Sequence, residues 1–433
     1  MDAAGHVMEA IEALLPETAA IDRGAGTLEG RMEWKKVPAK GAVYLLMGCE
    51  EEGAGGMSNG EKPLLLATVG DLRAALKRRL DDAAAGGEGA GAEAAAVAGL
   101  TRKIPYHRLC TRVAYRVVHS PFAANWVYLR AARALHPEHY RELLSFQPTW
   151  WVTVNPRDAF PRLRAVQAIT SGAGAGTLYA GPIRDRSAAG RLIDAVEDLF
   201  DLCREYPTLQ LAPHGRACAY KEMGKCPAPC DGSVEMGWYH RQIAAAWAFL
   251  TEPPARVRWM AEQEAAMGEA AGRLEFERAG RIKSRIGRGK FLEGRGAEAY
   301  AWLGRLEEFS FVCVEPGRGK RVAEIYVVHG GEVTALGEVE KKNVQAAAGE
   351  LAGRIGEAAR LPIRPPLDDG AIDTMALLAH HLFRRDPGIY VRSAPMIADG
   401  GDALLAVLER FFTAPEVEAA VATEVAAAQE AAP

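Results

Sequence analysis

The chain has 433 residues, of which 49% are hydrophobic and 25% are charged, and its formal net charge is −4. This composition is typical of folded proteins and excludes a fibrous or wholly disordered chain. At roughly 100 to 200 residues per domain, the length predicts two to four domains. Because the net charge is slightly negative, any nucleic-acid surface must be local. No apolar run approaches the ~20 residues that cross a bilayer, and the N-terminal residues lack the basic segment of a signal peptide, so we expect a cytoplasmic protein without a membrane partner.

Hydrophobic spacing predicts the first elements of the chain. An amphipathic helix covers residues 6–15, and the apolar runs at 42–47 and 63–69 predict two strands. Asp71 can cap a helix that follows the second strand. The apolar stripe of that helix consists of Leu72, Ala75, Leu76 and Leu80. Residues 81–99 are rich in Ala, Gly and Glu, which indicates a flexible insertion.

Residues 101–165 form a basic stretch with eleven Lys and Arg against three acidic residues. Tyr and Trp residues are interleaved with these charges. Arginines neutralise phosphates and aromatic faces stack on unpaired bases, so the mixture favours DNA binding, with Arg112, Arg116 and Arg130 as candidate contacts. The alternative is a solvated basic face with core aromatics.

The second half of the chain alternates helices and strands. A helix from Ser187 leads directly into Cys203, and residues 243–250 predict a second, buried helix. Three apolar runs between 309 and 339, separated by Gly-containing turns, predict a three-stranded meander. Two further helices follow. The last residues are acidic without a basic residue, which indicates a disordered tail.

Four of the seven cysteines lie close together in the sequence. Cys203, Cys218, Cys226 and Cys230 have the spacing C-x14-C-x7-C-x3-C. Thiolates are soft ligands that zinc and iron–sulfur clusters favour, and the spacing alone does not choose between them. Lys221 and Lys225 are expected to lower the pKa of nearby thiols. The alternative is four incidental thiols without a metal.

Residues 267–286 carry two short apolar stripes. They predict two helices that meet near Leu274 to Glu277. So small a hairpin cannot bury its apolar faces alone, which favours docking to a second helical pair. The alternative is a charged hairpin that packs on its own domain. The stripes are Met267, Ala271 and Leu274 on the first helix, and Phe276, Ala279, Ile282 and Ile286 on the second.

The cysteine segment, RACAYKEMGKCPAPCDGSVEMGWYHRQIAAAWAFL, resembles the corresponding segment of the UvrC family, a component of the bacterial excinuclease ABC. The resemblance rests on C-x7-C-x3-C, the GKC and APC tripeptides, the preceding GPI and helix, and the trailing Tyr and Phe-Leu. It implies that the four cysteines hold a [4Fe–4S] cluster, with zinc as the alternative.

The hairpin resembles the UVR motif of the same family, AAxxLEFExAAxLRDxI. That resemblance implies that it associates with UvrB, a second component of the excinuclease. The implied contact residues are Leu274, Phe276, Glu277, Ala279 and Ile282. Gly280, Lys283 and Ser284 depart from the Ala, Arg and Asp of the motif. The missing acid is expected to weaken the docking.

The N-terminal domain resembles a GIY-YIG nuclease whose catalytic residues are missing. GAVYLL places Tyr44 at the first tyrosine of the motif. The resemblance puts Tyr128 where a metal-binding glutamate is expected. The remaining motif positions are occupied by Leu65, Ala67, Thr68 and Ala75 in place of tyrosine, glycine, lysine and arginine. Without arginine and carboxylate, neither a metal nor the transition-state charge has a partner, so we expect a nuclease fold that does not cut.

An alternative is a rearranged site of Tyr44, Arg73 and Glu61, which would require Mg²⁺ or Mn²⁺. The resemblance runs from about residue 37 to about 412. It gives no sign of the RNase H-like and helix-hairpin-helix domains of full-length members, so we expect this chain to lack both.

The sequence thus predicts an α+β multidomain protein that binds DNA and UvrB in nucleotide-excision repair, in an accessory or regulatory role. The alternatives are an active, UvrC-like excinuclease and a metal-stapled scaffold without a DNA role. The predicted units are an N-terminal helical extension (1–36), a degenerate GIY-YIG-like α/β domain (37–145), a basic linker region with a helix and the cysteine cluster (146–250), the helical hairpin (255–292), a small C-terminal α/β domain of meander plus helices (303–412) and the tail (413–433).

Overall fold

The computed structural model of the chain describes residues 3–25, 27–49, 61–81, 106–167, 169, 176–294, 296–364, 367–384 and 388–413. The predicted insertion beyond Asp81 and the acidic tail beyond Thr413 lie outside these ranges, so both stay predictions. The described residues form helices and sheets, which confirms the α+β class. None of the helices in this part of the chain combines the length and the apolar character that crossing a membrane requires.

The N-terminal unit is a four-stranded antiparallel sheet with helices on both faces. Its strand order is β1-β4-β2-β3. The strands are β1 (Glu17–Ala20), β2 (Ala42–Gly48), β3 (Lys62–Val69) and β4 (Cys110–Val117), and the helices are α1 (Ala3–Leu14), α2 (Leu72–Leu80) and α3 (Pro121–Leu135). The two predicted strands and the helix after them are confirmed. Residues 1–36, which the sequence analysis set apart, belong to the same unit, because β1 pairs with β4.

The central strand β2 explains how this unit holds together. All seven of its residues are buried, so both of its faces meet core. Tyr44 and Leu46 face α2 and pack in one core, whereas Val43 and Leu45 pack with α1 and α3 in another. The Asp71 side chain accepts a hydrogen bond of 2.9 Å from the Ala74 amide, which confirms the predicted helix cap.

The middle unit is a second four-stranded antiparallel sheet, of order β6-β5-β7-β8. Its elements are β5 (Trp150–Val154), β6 (Arg164–Val166), β7 (Leu178–Ile183), β8 (Gly304–Arg305), α4 (Arg186–Leu199) and α5 (Met236–Thr251). Leu192, Val196 and Ile243 pack with the sheet in one core, which confirms both predicted helices. The three strands between 150 and 183 replace the linker that the sequence analysis assigned there.

The chain continues as a helical hairpin and a C-terminal unit. The hairpin consists of α6 (Pro253–Gly272) and α7 (Phe276–Gly289). The C-terminal sheet has the order β11-β10-β9-β12, so the predicted meander is confirmed and a fourth strand adds to it. Its elements are β9 (Ser310–Pro316), β10 (Val322–His329), β11 (Glu332–Glu340), α8 (Val344–Ala358), α9 (Asp369–Leu382), β12 (Ile389–Arg392), α10 (Ser393–Ala398) and α11 (Asp402–Thr413).

Candidate functional site

The cysteine loop begins where α4 ends and closes on itself through backbone contacts. The amide of Gly215 donates to the carbonyl of Cys230 over 2.8 Å, which ties the two sides of the loop together. Ala228 holds a left-handed φ of 61° between Cys226 and Cys230, so the chain reverses sharply there. The loop therefore gathers cysteines that are far apart in the sequence.

Three of the four thiols are buried and share one electrostatic environment. Cys203, Cys226 and Cys230 are buried, and Cys218 is half-buried. A hydrogen bond from the Cys203 thiol lowers the pKa of Cys226 to about 7. Burial, Asp231, and the Cys226 and Cys218 thiols raise the pKa of Cys230. Of the three buried thiols, Cys226 is thus the one that ionises first.

The chemistry of this donor set fits a metal held by thiolates, because the Cys203 thiol donates to Cys226 and the pKa of Cys226 is lowered to about 7. As the described side chains are placed, however, no three His, Cys, Asp or Glu residues form a metal-binding group. Lys221 does not act on the thiols as expected. Its ammonium donates to Asp231 and Ser233, each over 2.6 Å, and thereby braces the end of the loop.

Tyr239 on α5 is a supporting residue of the loop. Its side chain is buried, and its hydroxyl accepts a hydrogen bond from the backbone of Cys203. Burial raises the pKa of this phenol, so it remains neutral. Helices α4 and α5 therefore fix the first cysteine from two sides.

The base of the hairpin is joined to the same loop. The guanidinium of Arg285 on α7 donates to the Leu199 carbonyl at the end of α4. It also lies 3.3 Å from the Asp201 carboxylate, two residues before Cys203. The hairpin is therefore anchored beside the cysteine loop, and its free end is the tip.

Glu197 gives the middle unit a pH-dependent stability. Burial raises the pKa of this carboxyl from 4.5 to about 7, although the Arg204 guanidinium opposes the shift. The folded state therefore binds a proton more tightly than the unfolded chain does. The stability that this proton supplies is complete below about pH 4.5 and is lost as the pH rises through about 7.

We expect the Glu197→Gln variant to keep its stability as the pH rises through about 7, because the glutamine side chain does not ionise. The measurement is the urea midpoint of the wild type and of Glu197→Gln between pH 4.5 and 7.5, with the exposed Glu262→Gln as the control. The difference in urea midpoint between the wild type and Glu197→Gln should become smaller toward low pH. A difference that stays constant with pH would contradict the assignment of this titration to Glu197.

The hairpin tip exposes two large apolar side chains. Leu274 is 72% exposed and Phe276 is 68% exposed. The apolar stripe of α7 becomes covered only toward the base, where Ile286 is buried. Of the other predicted contact residues, Glu277 is exposed, and Ala279 and Ile282 are half-buried.

Leu274 holds a backbone conformation that normally favours glycine. Its φ is 62°, and its amide donates to the Ala271 carbonyl over 3.0 Å. The Glu275 amide donates to the Ala270 carbonyl over 2.9 Å, which completes a Schellman cap at the end of α6. A leucine in this region costs about 1–2 kcal/mol relative to the right-handed region. An apolar side chain is thus held in solvent at a cost in stability.

The residues around Tyr44 differ from the sequence prediction in one respect. The tyrosine is fully buried, and burial raises its pKa while the nearby Arg79 lowers it. Arg79 lies one helical turn after Ala75, on the same face of α2, and its guanidinium lies 6.0 Å from the ring centroid of Tyr106. Arg79 therefore lies close enough to lower the pKa of Tyr44, although the tyrosine hydroxyl has no hydrogen-bond partner among the described residues. The i,i+4 spacing on α2 could have revealed this arginine.

The rearranged site of Tyr44, Arg73 and Glu61 does not form. Arg73 donates to the Val37 carbonyl over 2.8 Å. Glu61 bonds Thr111 and Arg112 at the far end of the strand pair, because Lys62 pairs with Gly48 while Tyr44 pairs with Ala67. Glu61 precedes Lys62, so about five strand residues at about 3.4 Å each separate the backbone of Glu61 from that of Tyr44 by roughly 17 Å along the strands. Tyr128 is half-buried on α3.

The three candidate DNA-binding arginines have different surroundings. Arg112 pairs with Glu61. Arg116 donates to the carbonyls of Leu14 and Ala13 at the end of α1, over 2.6 and 3.0 Å. Arg130 is exposed and lies 5.3 Å from the ring centroid of Trp126. Two of the three guanidiniums are thus used inside the fold, and their DNA role stays a prediction.

Comparisons with known proteins place the middle unit in a family. Residues 149–249 match the family model of the UvrC/Cho excinuclease middle domain. This range covers β5 to α5 and includes all four clustered cysteines. No solved structure matches the chain.

Several curated relatives bear the name UvrABC system protein C. The protein from Syntrophotalea carbinolica is 29% identical over 133 residues, which cover 31% of this chain and 21% of the relative. The protein from Moorella thermoacetica is 30% identical over 139 residues, with the same two coverages. The protein from Syntrophomonas wolfei is 24% identical over 219 residues, which cover 50% of this chain and 34% of the relative. The matched part of the chain spans between about a fifth and a third of the length of these relatives. The middle unit of the chain is thus similar to the middle domain of the UvrC/Cho excinucleases and to UvrABC system protein C of several bacteria.

Proposed function

We propose that this chain acts in bacterial nucleotide-excision repair, where it binds DNA and the excinuclease component UvrB without cutting DNA with its N-terminal unit. The observation that carries the proposal is the match of residues 149–249 to the excinuclease middle domain. The relatives named UvrABC system protein C support the same pathway.

The docking half of the proposal rests on the hairpin tip. Leu274 and Phe276 project from a short helical pair whose base is fixed to α4 through Arg285. An exposed apolar tip on an anchored base suits insertion into a groove of a second helical pair. UvrB is the partner that the family resemblance implies.

The four clustered cysteines are proposed to hold a [4Fe–4S] cluster, with zinc as the alternative. A bound metal would cross-link the loop through its thiolates. Cys226, with its lowered pKa, is the natural first ligand, and Cys203 and Cys230 are buried next to it. Tyr239 and the Lys221–Asp231 pair hold the loop in place around them.

The non-cutting half of the proposal rests on the surroundings of Tyr44. The neighbours with the largest electrostatic effect on its hydroxyl are Arg79, Tyr106 and Arg78, and none of them is a carboxylate. Among the described residues, no carboxylate is thus one of the main electrostatic neighbours of the phenol, and a divalent metal there would lack the oxygen ligand that it prefers. A second candidate, an active excinuclease, is favoured by the approach of Arg79 to Tyr44.

A plasmid-nicking assay separates the two candidates. Wild-type protein is incubated with supercoiled plasmid and Mg²⁺ or Mn²⁺ and compared with Tyr44→Phe and Arg79→Gln. We expect no nicking above the level of either variant. Reproducible nicking by the wild type that both variants abolish would establish the active excinuclease instead.

A further inference from the structure

The second helix of the hairpin, α7, carries an unbalanced positive charge. Its 14 residues contain five Arg and Lys but one acid, Glu277. Two of the cations are engaged within the chain, because Arg278 pairs with Glu275, and Arg285 anchors the hairpin base. The remaining three cations, Arg281, Lys283 and Arg288, are exposed, and no acid of the described residues lies within 4 Å of them. Arg288 nevertheless opposes the rise in the pKa of Asp201 and donates to the Ser284 hydroxyl over 3.4 Å.

Two of these cations, Arg281 and Arg288, belong to one exposed face of α7, and Lys283 lies at the edge of that face, because residues two positions apart do not share a helix face. The buried side of α7 consists of Ile286 and Gly289, and Gly289 lies against Trp259 and Met260 of the first helix of the hairpin. Arg281, Ser284 and Arg288 follow one another at i, i+3 and i+7 on the opposite side, where they form a row of about 10 Å. We call this surface the outer face and define it as Gly280, Arg281, Lys283, Ser284, Gly287 and Arg288.

The outer face differs from the hairpin tip in chemistry. It contains cations, a hydroxyl and two glycines and has no apolar side chain, and the exposed carboxylate of Glu277 lies one turn before Arg281 at its end nearest the tip. A protein interface of stable affinity has an apolar or aromatic centre, which the tip offers and the outer face does not. Phosphate groups are instead bound by arginine, lysine and serine side chains. Gly280 and Gly287 leave open space, so a backbone can approach the helix closely.

We propose that the outer face of α7 binds the sugar-phosphate backbone of DNA. This inference rests on the proposed function, because DNA is the ligand, and it adds the place where the backbone lies. It also moves the nucleic-acid surface away from β4, where Arg112 and Arg116 already have partners inside the fold. The tip and the outer face then serve two different ligands on one hairpin.

The test compares two full-length double variants with the same loss of charge. Arg281→Gln/Arg288→Gln alters the outer face, and Arg321→Gln/Arg360→Gln removes two exposed arginines of the C-terminal unit. Binding of a fluorescein-labelled duplex is followed by anisotropy at several KCl concentrations. Each phosphate contact contributes about 0.9 to the slope of log K against log salt, so the outer-face variant should lose about 1.8 from the slope. The control variant should keep the wild-type slope.

Capture of UvrB in the absence of DNA completes the test. The outer-face variant should capture it as the wild type does. If wild-type protein binds DNA and the outer-face variant keeps the full slope, the inference is wrong while the proposed function stands. If that variant loses UvrB but not DNA, the face binds an acidic protein and the inference is also wrong. If wild-type protein binds no DNA, both the inference and the DNA part of the proposed function fail.

Discussion

Phe276→Ala is expected to weaken the association with UvrB by roughly ten- to a hundredfold. A phenylalanine side chain that is 68% exposed in the free chain would become buried on docking. Burial of such a side chain contributes about 1.5–3 kcal/mol, and each 1.4 kcal/mol corresponds to a factor of ten in the dissociation constant. The measurement is biolayer interferometry with immobilised UvrB.

Val257→Ala is the matched control for this experiment. Val257 is also on the hairpin and is 69% exposed, but it lies near the base of α6 rather than at the tip. It should leave the dissociation constant within a factor of two or so of the wild-type value, as expected for a surface change outside the contact. If both variants lose the same affinity for UvrB, the contact is not confined to the tip. If Phe276→Ala loses no affinity, UvrB does not dock through the tip.

Leu274→Gly separates docking from folding. The left-handed φ of 62° is unfavourable for leucine and free for glycine. The variant should therefore fold at least as stably as the wild type, with a gain of up to about 1 kcal/mol in the free energy of unfolding. It should nevertheless bind UvrB more weakly, because an exposed apolar side chain is removed. A stable variant with undiminished binding would remove Leu274 from the contact.

Loss of the metal is the expected result of Cys226→Ser. The pKa of this thiol is lowered to about 7, and a serine hydroxyl does not replace a thiolate toward a soft metal. Protein purified without oxygen should lose most of its iron and its brown colour. Because a bound metal would cross-link the loop, its loss should also lower the thermal midpoint.

Cys49→Ser is the control for the cysteine experiment. Cys49 is half-buried after β2 and has no part in the cluster, so this variant should keep the wild-type iron content. Retention of the metal by Cys226→Ser would contradict the ligand set. A colourless wild-type protein with one zinc per chain would keep the ligand set and replace the iron–sulfur cluster by zinc.

The elements with strong local patterns were predictable from the sequence. The helices α2, α4 and α5 each carry an apolar stripe within one continuous segment, and the meander has turns between apolar runs. The short strands β6 and β12 were missed, because Arg164–Val166 and Ile389–Arg392 become strands only through partners far along the chain. Helix α8 was missed as well, since two of its five buried residues are alanines and only Val344, Leu351 and Ile355 mark the stripe.

The candidate sites likewise include some features that were predictable from local sequence and others that depend on residues far apart in the chain. The cysteine spacing and the hairpin tip are local features, and the structure places the four thiols in one loop and the tip in solvent. The contact of Arg285 with Asp201 joins residues 84 positions apart, and no pattern in the sequence marks it. The internal partners of Arg112 and Arg116 also arise only from the tertiary fold.

One measurement tests the central claim, which is that this chain binds without cutting. The chain is mixed with UvrB, Mg²⁺ and an end-labelled duplex that carries a lesion, and the complex is isolated by gel filtration. A denaturing gel then shows the length of the labelled strand in that complex. The account predicts a stable complex of both proteins with an uncut strand. A cut strand that requires Tyr44, or the absence of any complex, would contradict it.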